Sequence, residues 1–369
     1  MTNQIHAQYA LNLDQTVNLI STVGKERTVL AQGDMGQGKS SMLTMLAEQH
    51  PNHVPIYFDM TTKDLGDVMI PDLGSVEKDG CVRMVPNEEL GLHLKDANGN
   101  MRPVIVMVDE YGKGNPAVKL ALLRFMLERK IGSVSLHPDS IVFATTNKGG
   151  EGVGDMLPPH ACNRIIVVQI RKSTHLEVIE FGINDGWDHT MLGCIKDNPQ
   201  LCQSYEDVKD PTENPYIFHP KAQRVSFSTP RSLHACSDIL KKREHLDDVT
   251  LHAALIGTVG DQAAALIMTH VKMSDQLPSL ESIKNDPKNA IVPTSVAAVC
   301  MVVYRTLSTL EKDWVKPWMD YMQRLDTEAQ AMFANGVRSP KYSKQAMVMG
   351  SQVFRDWAVK NNHLYTADV

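Results

Sequence analysis

Between residues 27 and 170 the chain alternates short unbroken apolar runs with longer stretches whose apolar residues recur every three or four positions. The runs are TVLAQ (28–32), VPIYFD (54–59), VIVMVD (104–109), IVFATT (141–146) and RIIVVQI (164–170). Runs without polar alternation suit strands covered on both faces, and their spacing by helical periods predicts βαβ units around a parallel sheet of five strands. Asn115 before Pro116 is a cap and first-turn pair, and Val118, Leu122, Phe125 and Arg129 follow at helical spacing, so a helix is expected over 116–129. Two hairpins are expected inside the α/β pattern: VEKDGCVRM around Asp79-Gly80, and RKIGSVSL around Gly132.

After residue 171 the strand pattern stops. Helix is expected over 174–182 and again over 230–271, with an irregular stretch at 183–225 that holds Trp187 and many Pro, Asn and Asp. The segment 275–293, with three prolines, reads as a linker. Residues 294–360 return to a helical pattern in which Ala346, Gly350, Val353 and Trp357 would form one buried stripe. The fold class expected is therefore α/β for the first half, followed by helices.

Candidate chemistry begins in VLAQGDMGQGKSSMLTML (29–46). Gly33, Gly38, Lys39 and Ser40 match the P-loop spacing, between an apolar strand and an apolar helix. Phosphate oxygens have to be met by several backbone N–H groups at once, so the loop must wrap tightly, which glycine permits. The whole loop, Gly33, Asp34, Met35, Gly36, Gln37, Gly38, Lys39, Ser40 and Ser41, is the candidate nucleotide site, with Lys39 supplying positive charge and Ser40 a hydroxyl for Mg²⁺. Asp34 would repel phosphate if its carboxylate faced the ligand. Positions between the glycines lend mainly backbone, so its side chain is expected to point to solvent.

A second element lies 70 residues downstream, where the strand VIVMVD ends in Asp109-Glu110. An acid pair at a strand's carboxyl end can hold Mg²⁺ through water (Asp109) and polarise the attacking water for in-line phosphoryl transfer (Glu110). Asn147 follows the next strand, where its amide could orient the same water. Arg164, just before the last apolar run, and Arg231, which opens a helix in STPRSL, are candidate phosphate contacts.

Composition narrows the partners. Of 369 residues, Lys and Arg number 37 and Asp and Glu 43, a formal net charge of −6 that disfavours nucleic acid as the main partner. Lys241-Lys242-Arg243, the densest basic spot, reads as a solvated helix end. Six cysteines (Cys81, Cys162, Cys194, Cys202, Cys236, Cys300) include no C-x-x-C pair, which suits free thiols in a reducing compartment. His160 and His234, each two residues before a cysteine, read as structural. The first 25 residues lack a signal-peptide pattern, and the most apolar stretch, 296–304, is far shorter than the roughly 20 residues a membrane span requires, so a cytoplasmic location without membrane is expected.

These residues together resemble the AAA+ ATPases, specifically the MoxR-like group of the helix-2-insert branch, similar to CbbQ-type ATPases. The resemblance rests on Gly33 to Ser40 as Walker A, Asp109-Glu110 as Walker B, PAVKLALLRFMLERKI after Walker B, and DMTTKDLGDVMIPDLG after the second strand. It also covers Asn147 as sensor 1, Arg164 as arginine finger and Thr229-Pro230-Arg231 as sensor 2, spanning roughly residues 20–250.

The resemblance implies an AAA+ α/β nucleotide-binding domain over 1–171, an α-helical lid over 172–274 and a helical C-terminal extension over 275–369. It implies ATP and Mg²⁺ as ligands, a homo-hexameric ring with ATP between neighbours, and Arg164 reaching into the next subunit's site. Both hairpins, the 76–84 one as helix-2 insert, would face a client, and no D-x-S-x-S metal motif occurs in the chain, so any von Willebrand factor A-domain partner would be separate. The function implied is a chaperone-like remodeller of a protein client or complex. An AAA+ nucleic-acid motor or loader stays open as the alternative, as does a nucleotide-holding scaffold without turnover.

Overall fold

The computed structural model describes residues 9–147, 163–275 and 277–366, without the side chains of residues 76, 77 and 79. Lys148 to Gly150 as well as His160 and Cys162 therefore lie outside the described residues. The chain divides into two compact units, Met1–Lys172 and Ser173–Val369.

In the first unit the elements run α1 (Leu13–Val23), β1 (Val29–Gln32), α2 (Ser41–Gln49), β2 (Val54–Asp59), α3 (Leu65–Val68), β3 (Met69–Asp72), α4 (Gly74–Asp79) and β4 (Arg83–Pro86). β5 (Val104–Asp109), α5 (Pro116–Glu128), β6 (Lys130–Ile131), β7 (Val134–Ser135), β8 (Ile141–Thr146) and β9 (Ile166–Gln169) follow. The five apolar runs become one parallel sheet in the order β2-β5-β8-β1-β9. This is the α/β fold with the five-stranded parallel sheet that the hydrophobic pattern predicts.

Side chains of successive strand residues leave opposite faces, and both faces here are covered. Val104, Val106 and Val108 of β5 join Val142 and Ala144 of β8 in a core with Val118, Leu122 and Phe125 of α5. Ile105 and Met107 join Ile141, Phe143, Val29 and Ala31 in the opposite core, under Val17 and Ile20 of α1 and Met42 and Leu46 of α2. That double burial explains the unbroken apolar runs of the central strands; β2, an edge strand, instead alternates in exposure.

The helix over 116–128 starts as expected, with Asn115 capping the Ala117 N–H. Arg129 then ends it in a left-handed conformation, and its guanidinium bonds the Gly24 carbonyl at 2.9 Å, the Thr28 hydroxyl at 2.6 Å and the Met126 carbonyl. Burial pulls the Arg129 pKa down to about 10. This clamp ties the end of α5 to the start of β1, whose far end carries the glycine-rich loop.

Of the two hairpins, the one around Gly132 forms: β6 and β7 pair antiparallel, with Gly132 at φ 56°. The Asp79-Gly80 hairpin does not form. Residues 74–79 are helical, Gly80 turns the chain off that helix at φ 68°, and β4 pairs instead with the upstream β3. The alternation after Gly80 was real, but its partner strand precedes the Asp-Gly pair by several residues.

The second unit is helical, and its helices on both sides of residue 275 share one core. Trp314, Trp318, Tyr321 and Phe333 from the later helices join Met191, Leu192 and Leu255 from the earlier ones. Two expectations are corrected here. The irregular stretch contains a helix, His189–Asp197, buried on most sides, with Gly193 packed against the Met301 side chain. The stripe through 346–357 forms only in its second half: Trp357 is buried and Val353 packs on the core, but Ala346 and Gly350 are exposed, because the helix Gln345–Met349 ends at Gly350 and Gln352–Lys360 starts in a new phase. Val348 and Phe354 join Trp357 in the buried places.

Candidate nucleotide site

Parallel register brings the carboxyl ends of β1, β5 and β8 to one edge of the sheet. Asp59 pairs with Asp109, Val108 with Ala144, and Ala31 with Thr145. The loop after β1, the acids after β5 and Asn147 after β8 are therefore neighbours by topology, at the edge where open α/β sheets bind ligands.

The loop wraps as the glycine spacing requires. Gly36 and Gly38 adopt φ 70° and 81°, conformations that side chains resist, and Ser40 opens α2 without spending its hydroxyl on a cap. Lys39, only 6% exposed, turns its ammonium inward to donate to the Gly33 carbonyl at 2.8 Å, the Asp34 carbonyl at 2.9 Å and Asn147 Oδ1 at 2.7 Å. Both amide atoms of Gln37 are buried without a hydrogen-bond partner. A buried orphan amide, an inward ammonium and an uncommitted hydroxyl around left-handed glycines fit a phosphate group and its cation.

The Asp34 expectation fails in one respect. Its side chain is buried, 5% exposed, and does not point to solvent. With the Lys39 ammonium gathering the Gly33 and Asp34 carbonyls inside the loop, the residue is enclosed by the turn. Met35 and Ser41 are half-buried, and the Ser41 hydroxyl donates to the Gly38 carbonyl at 2.6 Å.

Asp109 is 6% exposed and held from three sides. Its Oδ1 accepts from the Glu110 N–H at 3.0 Å and from the Thr145 hydroxyl; Oδ2 accepts from the Tyr57 hydroxyl at 2.8 Å. Burial, and then the bond to Asp109, raises the Tyr57 pKa above its ordinary value. Glu110 adopts a left-handed backbone, φ 53° and ψ 39°, which costs a non-glycine residue about 1 kcal/mol or more and turns its side chain off the strand axis. There both carboxylate oxygens accept from Asn147 Nδ2 at 3.2 Å, and Oε2 meets Lys113 Nζ at 3.1 Å.

One polar chain thus runs Lys39, Asn147, Glu110, Lys113 across the ends of three strands. Sequence reasoning identified three of its members and missed Lys113, along with Tyr57 and Thr145. The signal for the latter two was strand parity. Tyr57 pairs with Met107, two residues before Asp109, and Thr145 follows the Val108–Ala144 pair, so all three side chains leave the same face.

Arg164 lies away from the loop within the first unit. Ile166 pairs with Val29, so Arg164 is exposed at the amino-terminal edge of the sheet, at least about 13 Å of strand from Gly33 at 3.3 Å per residue. Arg231 belongs to the helical unit, exposed in the first turn of the helix Pro230–Leu240, which Thr229 and Ser232 cap reciprocally. His234 of that helix stacks on Trp187 with ring centroids 5.0 Å apart, in keeping with its structural reading.

No protein-family model and no curated protein matches the chain. Among solved structures, it is similar to a presumed ATPase of Cytophaga hutchinsonii, at 11% identity over 72% of this chain and 90% of that one, with a TM-score of 0.34. It is also similar to the RuvB Holliday junction branch migration motor of Thermotoga maritima, at 15% identity over 82% of this chain and 85% of that one, with a TM-score of 0.35. A mutant form of that RuvB gives 14% identity, the same coverage and a TM-score of 0.36. At scores this low, the reading of the site rests on the chain's own register and side chains.

Proposed function

We propose that the chain is an AAA+ ATPase of the MoxR-like group that hydrolyses ATP to remodel a protein client or assist assembly of a complex. The polar chain from Lys39 through Asn147 to Glu110 supports this reading best, because it joins a phosphate-binding cation to a base that can act on water. In this reading the N–H groups of the Gly33–Ser41 loop cradle the phosphates of ATP, and Lys39 moves its ammonium from the loop carbonyls to them. Magnesium, when bound, supplies positive charge against the phosphate oxygens, and Ser40 and Asp109 are the residues that would hold it. Glu110 takes a proton from water as the water oxygen bonds to the terminal phosphorus, and the bond from that phosphorus to the bridging oxygen breaks, leaving ADP and phosphate. Asn147 links Lys39 to Glu110, so the aim of the Glu110 carboxylate follows where Lys39 is engaged.

Arg164, exposed and far from its own chain's cradle, suits a finger that enters the neighbouring subunit's site in a homo-hexameric ring. Arg231 would couple bound nucleotide to movement of the helical unit as a lid over 172–274, with 275–369 as its extension. The β3–β4 and β6–β7 hairpins would face the client, and a separate von Willebrand factor A-domain protein is the partner class this reading carries. A cytoplasmic location accompanies it; among the described residues no helix is long and apolar enough to cross a membrane.

The deciding experiment compares Lys39→Ala with Glu110→Gln. Lys39→Ala should lose nucleotide binding, and Glu110→Gln should bind ATP and not turn it over. Normal turnover by Glu110→Gln would overturn the assignment. Turnover stimulated strongly by DNA, with an affinity that collapses as salt rises, would replace the client remodeller with the nucleic-acid motor.

A further inference from the structure

Asp109 matters to the proposed reaction only if its carboxylate presents an oxygen in a fixed direction, and the structure shows how that direction is set. A carboxylate offers about two acceptor directions on each oxygen. On Oδ1 both are taken, by the Thr145 hydroxyl and the Glu110 N–H. On Oδ2 the Tyr57 hydroxyl takes one at 2.8 Å, and a single direction stays open for a metal-bound water.

Tyr57 occupies a position where its ring is not needed by the core. It lies on the edge strand β2, 49% exposed, where an alternating strand would ordinarily place a solvated polar residue. Its register partner is Met107, so its Cα stands one diagonal step from Asp109 on the same face. A phenol is long enough to cover that step and bring a hydroxyl to the carboxylate, which a serine or threonine at the same place could not do. Thr145, directly beside Asp109 in the register and fully buried, completes the grip from the other neighbour.

We infer that Tyr57 is a positioning residue for the magnesium-holding carboxylate: its hydroxyl fixes Asp109 Oδ2 so that the remaining lone pair meets a water of the bound ion. The inference rests on the nucleotide-site reading. It assigns a role in metal use to a residue outside the loop and outside the acid pair, and it predicts an effect on magnesium separate from any effect on nucleotide.

The test uses the full chain carrying Tyr57→Phe, which deletes the hydroxyl and keeps the half-exposed ring. The Mg²⁺ concentration giving half-maximal ATP turnover should rise about three- to tenfold, the loss expected of one hydrogen bond to a charged group shared with water. ATP affinity in EDTA should stay within about twofold. The extra thermal stabilisation that Mg²⁺ adds to ADP over ADP alone should shrink, and the melting temperature without ligand should stay near wild type.

Asp109→Asn is the positive control and should abolish the magnesium-dependent part of both readouts. Tyr57→Phe with an unchanged or lowered Mg²⁺ requirement, beside an Asp109→Asn variant that loses it, overturns the inference alone. An Asp109→Asn variant with unchanged magnesium dependence, or ATP binding that survives Lys39→Ala, overturns the nucleotide-site reading and this inference with it.

Discussion

Replacing Asn147 by alanine removes one of the acceptors around a buried ammonium and the donor to both oxygens of Glu110. A hydrogen bond to a charged group contributes about 1.5–3 kcal/mol when buried. Lys39 retains the Gly33 and Asp34 carbonyls, so its loss falls at the lower end of that range. Glu110 is partly solvated and keeps Lys113, so its share is small. The sum is about 2 kcal/mol, and for a unit of this size it lowers the melting temperature by about 4–8 °C. Turnover should fall about 100-fold, at the low end of what a well-placed general base contributes, because the carboxylate is no longer aimed from the Lys39 side. Nucleotide affinity, which rests on loop N–H groups and Lys39, should stay within about threefold. Differential scanning fluorimetry, a steady-state phosphate-release assay and a fluorescent-nucleotide titration read the three quantities separately. An Asn147→Ala protein with wild-type turnover would refute the claim that this amide couples cation to base, whatever its stability.

Three further outcomes are expected. Mixing Arg164→Ala with Lys39→Ala chains should restore part of the ATPase activity that each lacks, since the two defects would lie in different subunits of a shared site; no recovery at any ratio would exclude a finger acting in trans. Burial pushes the His189 imidazole down to about 4, with Asp188 opposing and Arg243 and Arg305 assisting, so its neutral form is the one the fold favours. The stability this histidine contributes is therefore complete above its unfolded value of 6.5 and is lost as pH falls towards about 4, on the order of 3 kcal/mol in total. Urea unfolding of wild type and His189→Gln at pH 7 and pH 4.5 should show the gap between them shrinking, and a constant gap would reject the assignment. Gly132→Ala would place a Cβ against the Met84 carbonyl while forcing a left-handed residue, so it should cost about 1–3 kcal/mol and speed proteolysis within residues 69–86 and 130–135.

The first unit was legible because its elements have sharp physical requirements. Strands covered on both faces favour apolar residues, so β5 and β8 could be placed to the residue, and a tight strand-to-helix loop favours glycine where Gly36 and Gly38 go left-handed. What escaped depends on neighbours from other strands. Tyr57 and Thr145 acquire a role only through the register that sets them beside Asp109, and Asp34 is buried by the folding of its own loop. In the helical unit, the helix His189–Asp197 showed no readable period because it is only nine residues long and is flanked by Asn, Asp, Gly and Pro residues that read as loop. The stripe through Ala346 and Gly350 failed for the opposite reason. The period was present, and a helix break at Gly350 reset its phase.

The residue at 147 illustrates why one position in the site admits so few side chains. It faces an ammonium at 2.7 Å and a carboxylate at 3.2 Å. A carboxylate there would satisfy Lys39 and repel Glu110; an ammonium would do the reverse. A hydroxyl has a single proton to donate and cannot reach both groups from the end of β8. A planar amide carries an acceptor and two N–H donors on one rigid group, so it can meet a cation on one edge and an anion on the other without itself changing charge. Asparagine reaches both groups as it stands, at 2.7 and 3.2 Å, whereas glutamine would carry its amide one methylene further. In the proposed reaction that neutrality would give the site a way to respond to its ligand: when Lys39 turned to a phosphate, the amide would lose its partner on one edge and be free to reorient on the other. The direction in which Glu110 points would then be tied to where the lysine is engaged.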